Sequence, residues 1–307
     1  MKYPALPFIA VASAIAAMLP ARAQVANPSS RLETVTVTGA KPDLGDVIRT
    51  YVTSFAAPSP YLGKIARWKD GVCLKVIGLQ PAAATLVADR IKTVAKMAGA
   101  PIAAGETCRT NVEIVVTPQP QALLDALRAK NPDILGYSSG PSQAARTAIM
   151  NRPIQAWYVT ATEDYAGVLH RDEMLDDCAI RTGRREDCSM LVSGFSLSDG
   201  LKSDFVNAMV IVDSSRTGAM QIGSLADYAA MEALAQTQVA DDCRALPTVT
   251  NLVSDGCPMP NKSDALTNTD IAYLHALYRV QPDAKLNVQE HQISHDMEKS
   301  LSGSGKP

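Results

Sequence analysis

The sequence predicts an α+β protein, and three features support that class. Between residues 73 and 129, two short apolar runs, CLKVIGL and NVEIVVT, alternate with two segments of helical periodicity. Residues 154–162 and 206–213 repeat the strand pattern. Residues 266–279, LTNTDIAYLHALYR, join a capping pair to a row of apolar side chains on one helical face. Strands and helices that alternate first and then give way to helices are typical of a mixed fold.

The first 23 residues have the pattern of a secretory signal peptide. Lys2 supplies positive charge, residues 5–19 are almost entirely apolar, and Ala-Arg-Ala at 21–23 matches the cleavage pattern. Pro20 and the following arginine interrupt the apolar run before it is long enough to span a bilayer. We therefore expect cleavage after Ala23, a periplasmic or extracellular location, and no transmembrane segment in the mature chain.

Charge and composition exclude some functions for the mature chain. The full sequence has a formal net charge of -2, and cleavage would remove Lys2 and Arg22, which brings the charge to -4. A mildly acidic chain without a basic stripe is not expected to bind nucleic acid. Aromatic residues make up 5% of the chain, so few flat surfaces are offered to sugars or bases.

All six cysteines follow the predicted cleavage site, and an even number in an oxidising compartment predicts three disulfides. A structural zinc site is the alternative, but no two cysteines have the C-x-x-C spacing that such sites usually contain. Fifteen pairings are open in principle. Proximity along the chain favours Cys73–Cys108, Cys178–Cys188 and Cys243–Cys257.

The front of the mature chain divides into an extended lead-in, residues 24–45, and an α+β subdomain, residues 46–135. The lead-in contains ETVTVTGAK at 33–41, which resembles the TonB box of outer-membrane transporters. Such a segment can add as a strand to a partner's sheet. That similarity suggests a partner module of envelope transport machinery, whereas the simpler interpretation is an edge strand or a flexible lead-in.

Within 46–135 the pattern predicts four elements after an opening amphipathic helix. They are a strand over 73–79, a helix from Pro81 to about residue 98, a strand over 111–117 and a helix over 119–129. A Cys73–Cys108 bond would join the approaches to the two strands. We therefore expect the two strands to be neighbours.

The back of the chain, residues 150–283, is predicted as a second subdomain that could be continuous with the first. Residues 138–143 mark a loop before it, and strands are predicted at 154–162, 190–197 and 206–213. The charged stretch 170–188 is either a binding surface or solvated decoration. Residues 284–307 are expected to form a peripheral helix with an apolar stripe of Ile293, Met297 and Leu301, followed by a flexible tail.

The order of elements from 206 to 278 resembles the catalytic half of zincin metallopeptidases. VNAMVIVD corresponds to the edge strand, LADYAAMEALA to the helix that carries HExxH, PTVTNLV to the turn and LTNTDIAYLHALY to the closing helix. The chain also resembles a family of secreted proteobacterial proteins through VTVTG, IARWKDGVC, VIGL and LADYAAMEALAQ, and that similarity implies no assigned activity.

The HExxH zinc-binding motif of zincins is absent from the corresponding segment of this sequence. A zincin helix places two histidines one turn apart on zinc and a glutamate as general base. The corresponding residues here are Asp227, Tyr228 and Met231. Ser224 and Asp227 form an S-x-x-D pair, which predicts that Asp227 caps the first turn of its helix. A stripe of Ile222, Leu225, Ala226, Ala229 and Ala233 predicts that the helix packs in the core.

Other candidate sites are weak in sequence. His291 and His295 have the spacing of two metal ligands on one helical face, but solvated histidines near the chain end are the favoured interpretation. GFSLS lacks the second glycine of a serine-hydrolase elbow, and the chain contains no nucleotide-binding glycine motif, so no cofactor is indicated.

The sequence predicts a non-catalytic envelope protein with a binding or structural role, whose partner, an envelope protein or a peptide, is not identified. A hydrolase with an unconventional active site, using Asp227 and the 170–188 stretch, is the alternative.

Overall fold

The computed structural model describes residues 43–105, 107–136, 148–184, 187–188, 190, 192, 198–238, 243–254, 256–259 and 261–303. The predicted signal peptide, nearly all of the lead-in with its ETVTVTGAK segment, and the loop predicted at 138–143 lie outside these residues. Most of the strand predicted at 190–197 and the final four residues also lie outside them.

The described chain is α+β, as predicted. Its strands are β1 (Leu74–Ile77), β2 (Val112–Thr117), β3 (Ile154–Glu163), β4 (Leu169–Arg171) and β5 (Lys202–Asp213). Its helices are α1 (Leu44–Phe55), α2 (Pro81–Ala98), α3 (Pro120–Lys130), α4 (Asp172–Thr182), α5 (Ser214–Thr217), α6 (Ile222–Leu234), α7 (Asn268–Leu277) and α8 (Leu286–Gly303), with 3₁₀ helices at Pro132–Leu135 and Val249–Val253.

The five strands form one mixed sheet in the order β1-β2-β5-β3-β4. β1, β2 and β5 are parallel, whereas β3 runs antiparallel to both β5 and β4. β1 and β2 are neighbours, as the expected disulfide implied. The resemblance to a zincin predicted an edge strand before the active-site helix. That prediction is wrong, because β5 pairs with a strand on each side and lies at the centre of the sheet.

The sheet contains strands from both predicted subdomains, and residues 42–307 form one compact unit. The larger part of the core covers one face of the sheet, where α1, α2, α6, α7 and α8 pack together. A smaller apolar cluster covers part of the opposite face. It contains Leu124 of α3, Leu135, Trp157, Met209 and Ile211.

Local signals explain where the helices begin and end. Pro81 occupies the first turn of α2, and Gly99 ends that helix with φ 79°, a left-handed conformation that glycine adopts without strain. At α7 the Thr267 hydroxyl accepts from the Asp270 N–H at 3.1 Å, while the Asp270 carboxylate accepts from the Thr267 N–H at 2.8 Å. The capping pair predicted from sequence is confirmed.

Helix α8 packs against both α1 and α7. Ile293 and Met297 of the predicted stripe are fully buried, and Leu301 is half-buried. The helix begins at Leu286, within the segment 284–307 that was predicted to contain it. Its buried face makes it part of the core, so the description of α8 as peripheral applies only to its exposed face.

All three disulfides are present in the predicted sequential pairing. Cys73–Cys108, the first disulfide, joins the residue before β1 to the loop before β2, while Cys178–Cys188 closes the α4 segment and Cys243–Cys257 the segment before α7. In the part of the chain that the structure describes, none of the helices has both the length and the apolar character that crossing a bilayer requires.

Candidate functional site

Helix α6 contains the segment that the sequence analysis compared with the zinc-binding helix of zincins, and it is buried along almost its whole length. All its residues from Ser224 to Leu234 are buried, and the helix contacts α2, α7 and the sheet. Ala226, Ala229 and Ala233 have no exposed surface, so neighbouring elements approach closely at these positions. The helix therefore has the packing role that its apolar stripe predicted.

Asp227 is held by an ion pair and does not cap the helix. Its carboxylate accepts from Arg90 of α2, with an Nε–Oδ1 distance of 2.5 Å, and from the Leu266 N–H at 3.1 Å. The predicted cap is wrong because α6 begins at Ile222, with Gln221 as its N-cap, which puts Asp227 in the second turn. The carboxylate links α6 to α2 and to the loop before α7.

Tyr228 and Met231, the other two positions of the degenerate motif, lie in the core. Tyr228 is 2% exposed and Met231 has no exposed surface. Burial, reinforced by the negative charge of Glu232, raises the pKa of the Tyr228 hydroxyl far above its ordinary value. Neither side chain is available to a metal ion or a substrate in this packing.

The residue after Met231, Glu232, is a buried carboxyl group. Its Oε2 lies 3.0 Å from the Tyr158 hydroxyl and its Oε1 lies 3.3 Å from the Thr237 hydroxyl. Burial raises its pKa to about 7, although these hydrogen bonds oppose the rise. Glu232 therefore joins α6 to β3, and it lines a small polar cavity of ≈ 20 Å³ together with Arg152 and Arg244.

The candidate histidines of α8 lie beside a shallow groove. His291, His295 and Asp296 line this groove of ≈ 410 Å³ together with Arg279, which approaches the Asp296 carboxylate to 4.0 Å. Across the described ranges, His, Cys, Asp and Glu side chains form no group of three or more with the arrangement of a metal site. The structure thus brings the two histidines near each other but shows no third ligand.

The 170–188 stretch forms α4 and the loop that the second disulfide closes. Met174 and Ile180 of α4 are 65% and 62% exposed. At the start of the helix, the Asp172 carboxylate is buried and accepts from the Thr160 and Thr162 hydroxyls at 2.5 and 2.8 Å. These bonds fix α4 against β3. Among the described residues, no ion pair or side-chain hydrogen bond joins this stretch directly to Asp227.

A polar cleft of ≈ 680 Å³ lies where β2 and β5 separate. β2 begins opposite Ala208, so the first half of β5 has no β2 partner; its backbone instead pairs with Arg67. We call this space the bulge cleft. Its polar lining includes Lys69, Asn111, Asp133, Arg171, Asp204 and Asn207.

A β-bulge in β5 shapes the cleft. Val159 and Thr160, consecutive on β3, pair with Asn207 and Phe205, so β5 carries one additional residue, Val206. Without the bulge, residues three apart on a strand would point to opposite faces. The extra residue brings the side chains of Asp204 and Asn207 to the same face, and bulges are common where a binding site re-aims a side chain.

Two oxygen atoms of the cleft receive no hydrogen bond. Asp204 is 4% exposed, and its Oδ2 atom is buried without a donor, as is the Oδ1 atom of Asn207. The nearby Asn111 shows the contrast, because its amide bonds to both the Cys73 N–H and the Gly71 carbonyl. An unsatisfied buried acceptor costs about 1–3 kcal/mol, so a donor group that reached either oxygen would be favourable there.

The surroundings of the cleft shift the pKa values of two acidic groups, Glu163 and Asp204, in opposite directions. Burial raises the pKa of Glu163, but hydrogen bonds from Lys202, at 2.7 Å, and from Lys69 outweigh it and leave the pKa below its ordinary value. For Asp204, burial and then the negative charge of Glu163 raise the pKa to about 6. At neutral pH, Asp204 is thus a buried carboxylate without a hydrogen-bonded cation of its own.

Two guanidinium groups also line the bulge cleft. Arg109 is exposed and makes no ion pair with the described carboxylates, whereas Arg171, whose side chain is 42% exposed, contacts Glu173. The cleft therefore combines buried acceptors with cations near solvent. This composition suits a ligand that carries a donor group and, apart from it, an acidic group. The two unsatisfied oxygens, of Asp204 and Asn207, are too few to form a metal site.

The sequence analysis did not single out Asp204 or Asn207. The available signal was the placement of polar residues inside an apolar strand, KSDFVNAMVIVD, where strict alternation is broken. Comparisons with models of protein families, with curated proteins and with solved structures find no match to this chain.

Proposed function

We propose that this protein is a secreted, non-catalytic binding protein of the cell envelope that retains a zincin-like frame and takes its ligand in the bulge cleft. The predicted signal peptide and the three disulfides support an oxidising compartment outside the cytoplasm. The resemblance to zincins from residue 206 to residue 278 supports the frame through α6 and α7, whereas β5 departs from it as a central strand.

The observation that supports the proposal is the structural role of the three residues at the positions of the degenerate zinc motif. Asp227 is bound by Arg90 and the Leu266 N–H, and Tyr228 and Met231 are buried. A zinc peptidase needs several side chains that converge on one metal and a base beside the bound water. Here all three positions stabilise the fold, whereas Asp204 and Asn207 of the bulge cleft each have a buried acceptor without a donor.

Metal analysis and activity assays test this function. We expect the untagged protein, after dialysis, to contain far less than one equivalent of zinc. We also expect it to release no product from a fluorescent casein substrate or from p-nitrophenyl acetate. Stoichiometric zinc that survives dialysis, or hydrolysis that is lost in a folded Asp227→Asn variant, would overturn the proposal. Asp46→Asn, an exposed acidic position on α1, is the matched control.

The second candidate function is acid–base hydrolysis in the bulge cleft, and a specific observation favours it. The environments of Glu163 and Asp204 push the pKa values of the two carboxyl groups apart, as happens where one group acts ionised and the other donates a proton. Any measured hydrolysis should then depend on pH with a midpoint near 6, and Asp204→Asn should abolish it. A pH profile that Asp204→Asn leaves unchanged would eliminate this function.

A further inference from the structure

The two unsatisfied oxygens of the bulge cleft allow the class of ligand to be named, on the basis of the proposed binding function. Asp204 Oδ2 and Asn207 Oδ1 are acceptors, so the ligand group that meets them must donate. A hydroxyl, a metal cation and an ammonium group are three chemistries that satisfy carboxylate and amide oxygens.

The surroundings of these oxygens disfavour the first two chemistries. Sugars are commonly stacked on exposed aromatic rings, whereas the aromatic residue of the lining, Phe205, is 4% exposed and packs on Trp68 and Tyr158. A divalent cation would need a third oxygen ligand, and the described His, Cys, Asp and Glu side chains form no group of three or more that could hold one. An ammonium group offers three donors and a positive charge that complements Asp204.

The cationic groups of the cleft indicate what the rest of the ligand contains. Arg109 lines the same cleft, is exposed, and is without a carboxylate partner among the described residues. A planar guanidinium matches a carboxylate by paired hydrogen bonds. A ligand with an ammonium group and a carboxylate would therefore satisfy both the buried acceptors and the exposed cation.

We propose that the bulge cleft binds the zwitterion of a free amino acid or a short peptide, with its ammonium group on Asp204 and Asn207 and its carboxylate on Arg109. The cleft volume of ≈ 680 Å³ lies within the range of small-molecule sites and leaves room for more than one residue. Free amino acids and short peptides share this chemistry, and the size of the ligand distinguishes them.

Thermal shift measurements on the full disulfide-bonded protein test the class. The probes are the free amino acids and a set of Ala-X-Ala tripeptides at millimolar concentration, and the strongest of them is then titrated by calorimetry. We expect at least one probe to bind, with affinity lowered at least about tenfold by acetylation of its amino group and also by amidation of its carboxylate. Equal binding of the acetylated probe would overturn the assignment of the ammonium group.

Variants of the cleft connect the binding to its residues. Asp204→Asn keeps the shape of the side chain and removes the charge, and we expect the affinity to fall at least about tenfold while circular dichroism is unchanged. Asn207→Ala is the second cleft variant, and Arg109→Gln should weaken only probes with a free carboxylate. Asp46→Asn should bind as the native protein does. If the native protein binds none of the probes, the ligand class is wrong, whereas the zinc and activity measurements decide the proposed function separately.

Discussion

Replacing Asp204 by asparagine should stabilise the protein at neutral pH, because it removes a buried negative charge and nearly keeps the shape of the side chain. The carboxylate is 4% exposed and its Oδ2 atom has no donor. Burial raises its pKa from 3.8 to about 6, so the folded protein binds this proton more tightly than the unfolded chain does. Ionisation of Asp204 must therefore oppose folding.

The magnitude follows from the difference between the two pKa values. At a pH well below 3.8 the group is protonated in both states and contributes nothing. As the pH rises from 3.8 to about 6, the unfolded chain ionises first, and stability falls through this window. Above it the loss reaches about 3 kcal/mol, which is an upper value because water entering the cleft would reduce it.

Urea unfolding at the two ends of this window measures the effect, with fluorescence of the buried Trp68 and Trp157 as the signal. The free energy of unfolding of Asp204→Asn should exceed that of the native protein by about 1–3 kcal/mol above about pH 7, and the excess should shrink to about 0.5 kcal/mol near about pH 4. Asp46→Asn should show no such dependence, because its side chain is 67% exposed. An excess that is the same at both pH values, or a less stable Asp204→Asn protein at neutral pH, would refute the reasoning.

Three further perturbations test the packing around α6 and the disulfides. Asp227→Ala should lower the free energy of unfolding by about 2 kcal/mol, because Arg90 loses its ion-pair partner, while Asp227→Asn should cost less in the same urea titration. Tyr158→Phe removes a donor to Glu232 and should cost about 1–2 kcal/mol, with a larger loss above about pH 7, where the Glu232 carboxyl ionises. Serine at both cysteines of the first disulfide should cost about 4 kcal/mol in urea unfolding, because the bond closes a loop with a sequence separation of 35. A change below about 1 kcal/mol in any of the three would contradict the corresponding contact.

The elements predicted most accurately are those whose determinants lie close together in sequence. The capping box of α7 needs only Thr267 and Asp270, and the three disulfides join cysteines that follow one another along the chain. The strand patterns at 111–117 and 154–162 agree closely with β2 and β3. Short-range chemistry was sufficient for these features.

Features that depend on distant residues were not predicted. Asp227 has the sequence context of a cap, but Arg90, far away in the chain, attracts its carboxylate into an ion pair. The bulge at Val206 exists only in the pairing of β5 with β3, so the sequence of β5 alone does not reveal that Asp204 and Asn207 share a face. The candidate site depends on this pairing, which explains why it was missed.

The sequential pairing of the cysteines has a consequence for biogenesis. In each disulfide the first cysteine is bonded to the next cysteine in the sequence, with separations of 35, 10 and 14 residues, and no disulfide loop encloses another. A polypeptide that emerges amino terminus first into an oxidising space can close every native bond before the next pair arrives. We expect its oxidative maturation to proceed without an isomerase that reshuffles wrongly joined thiols.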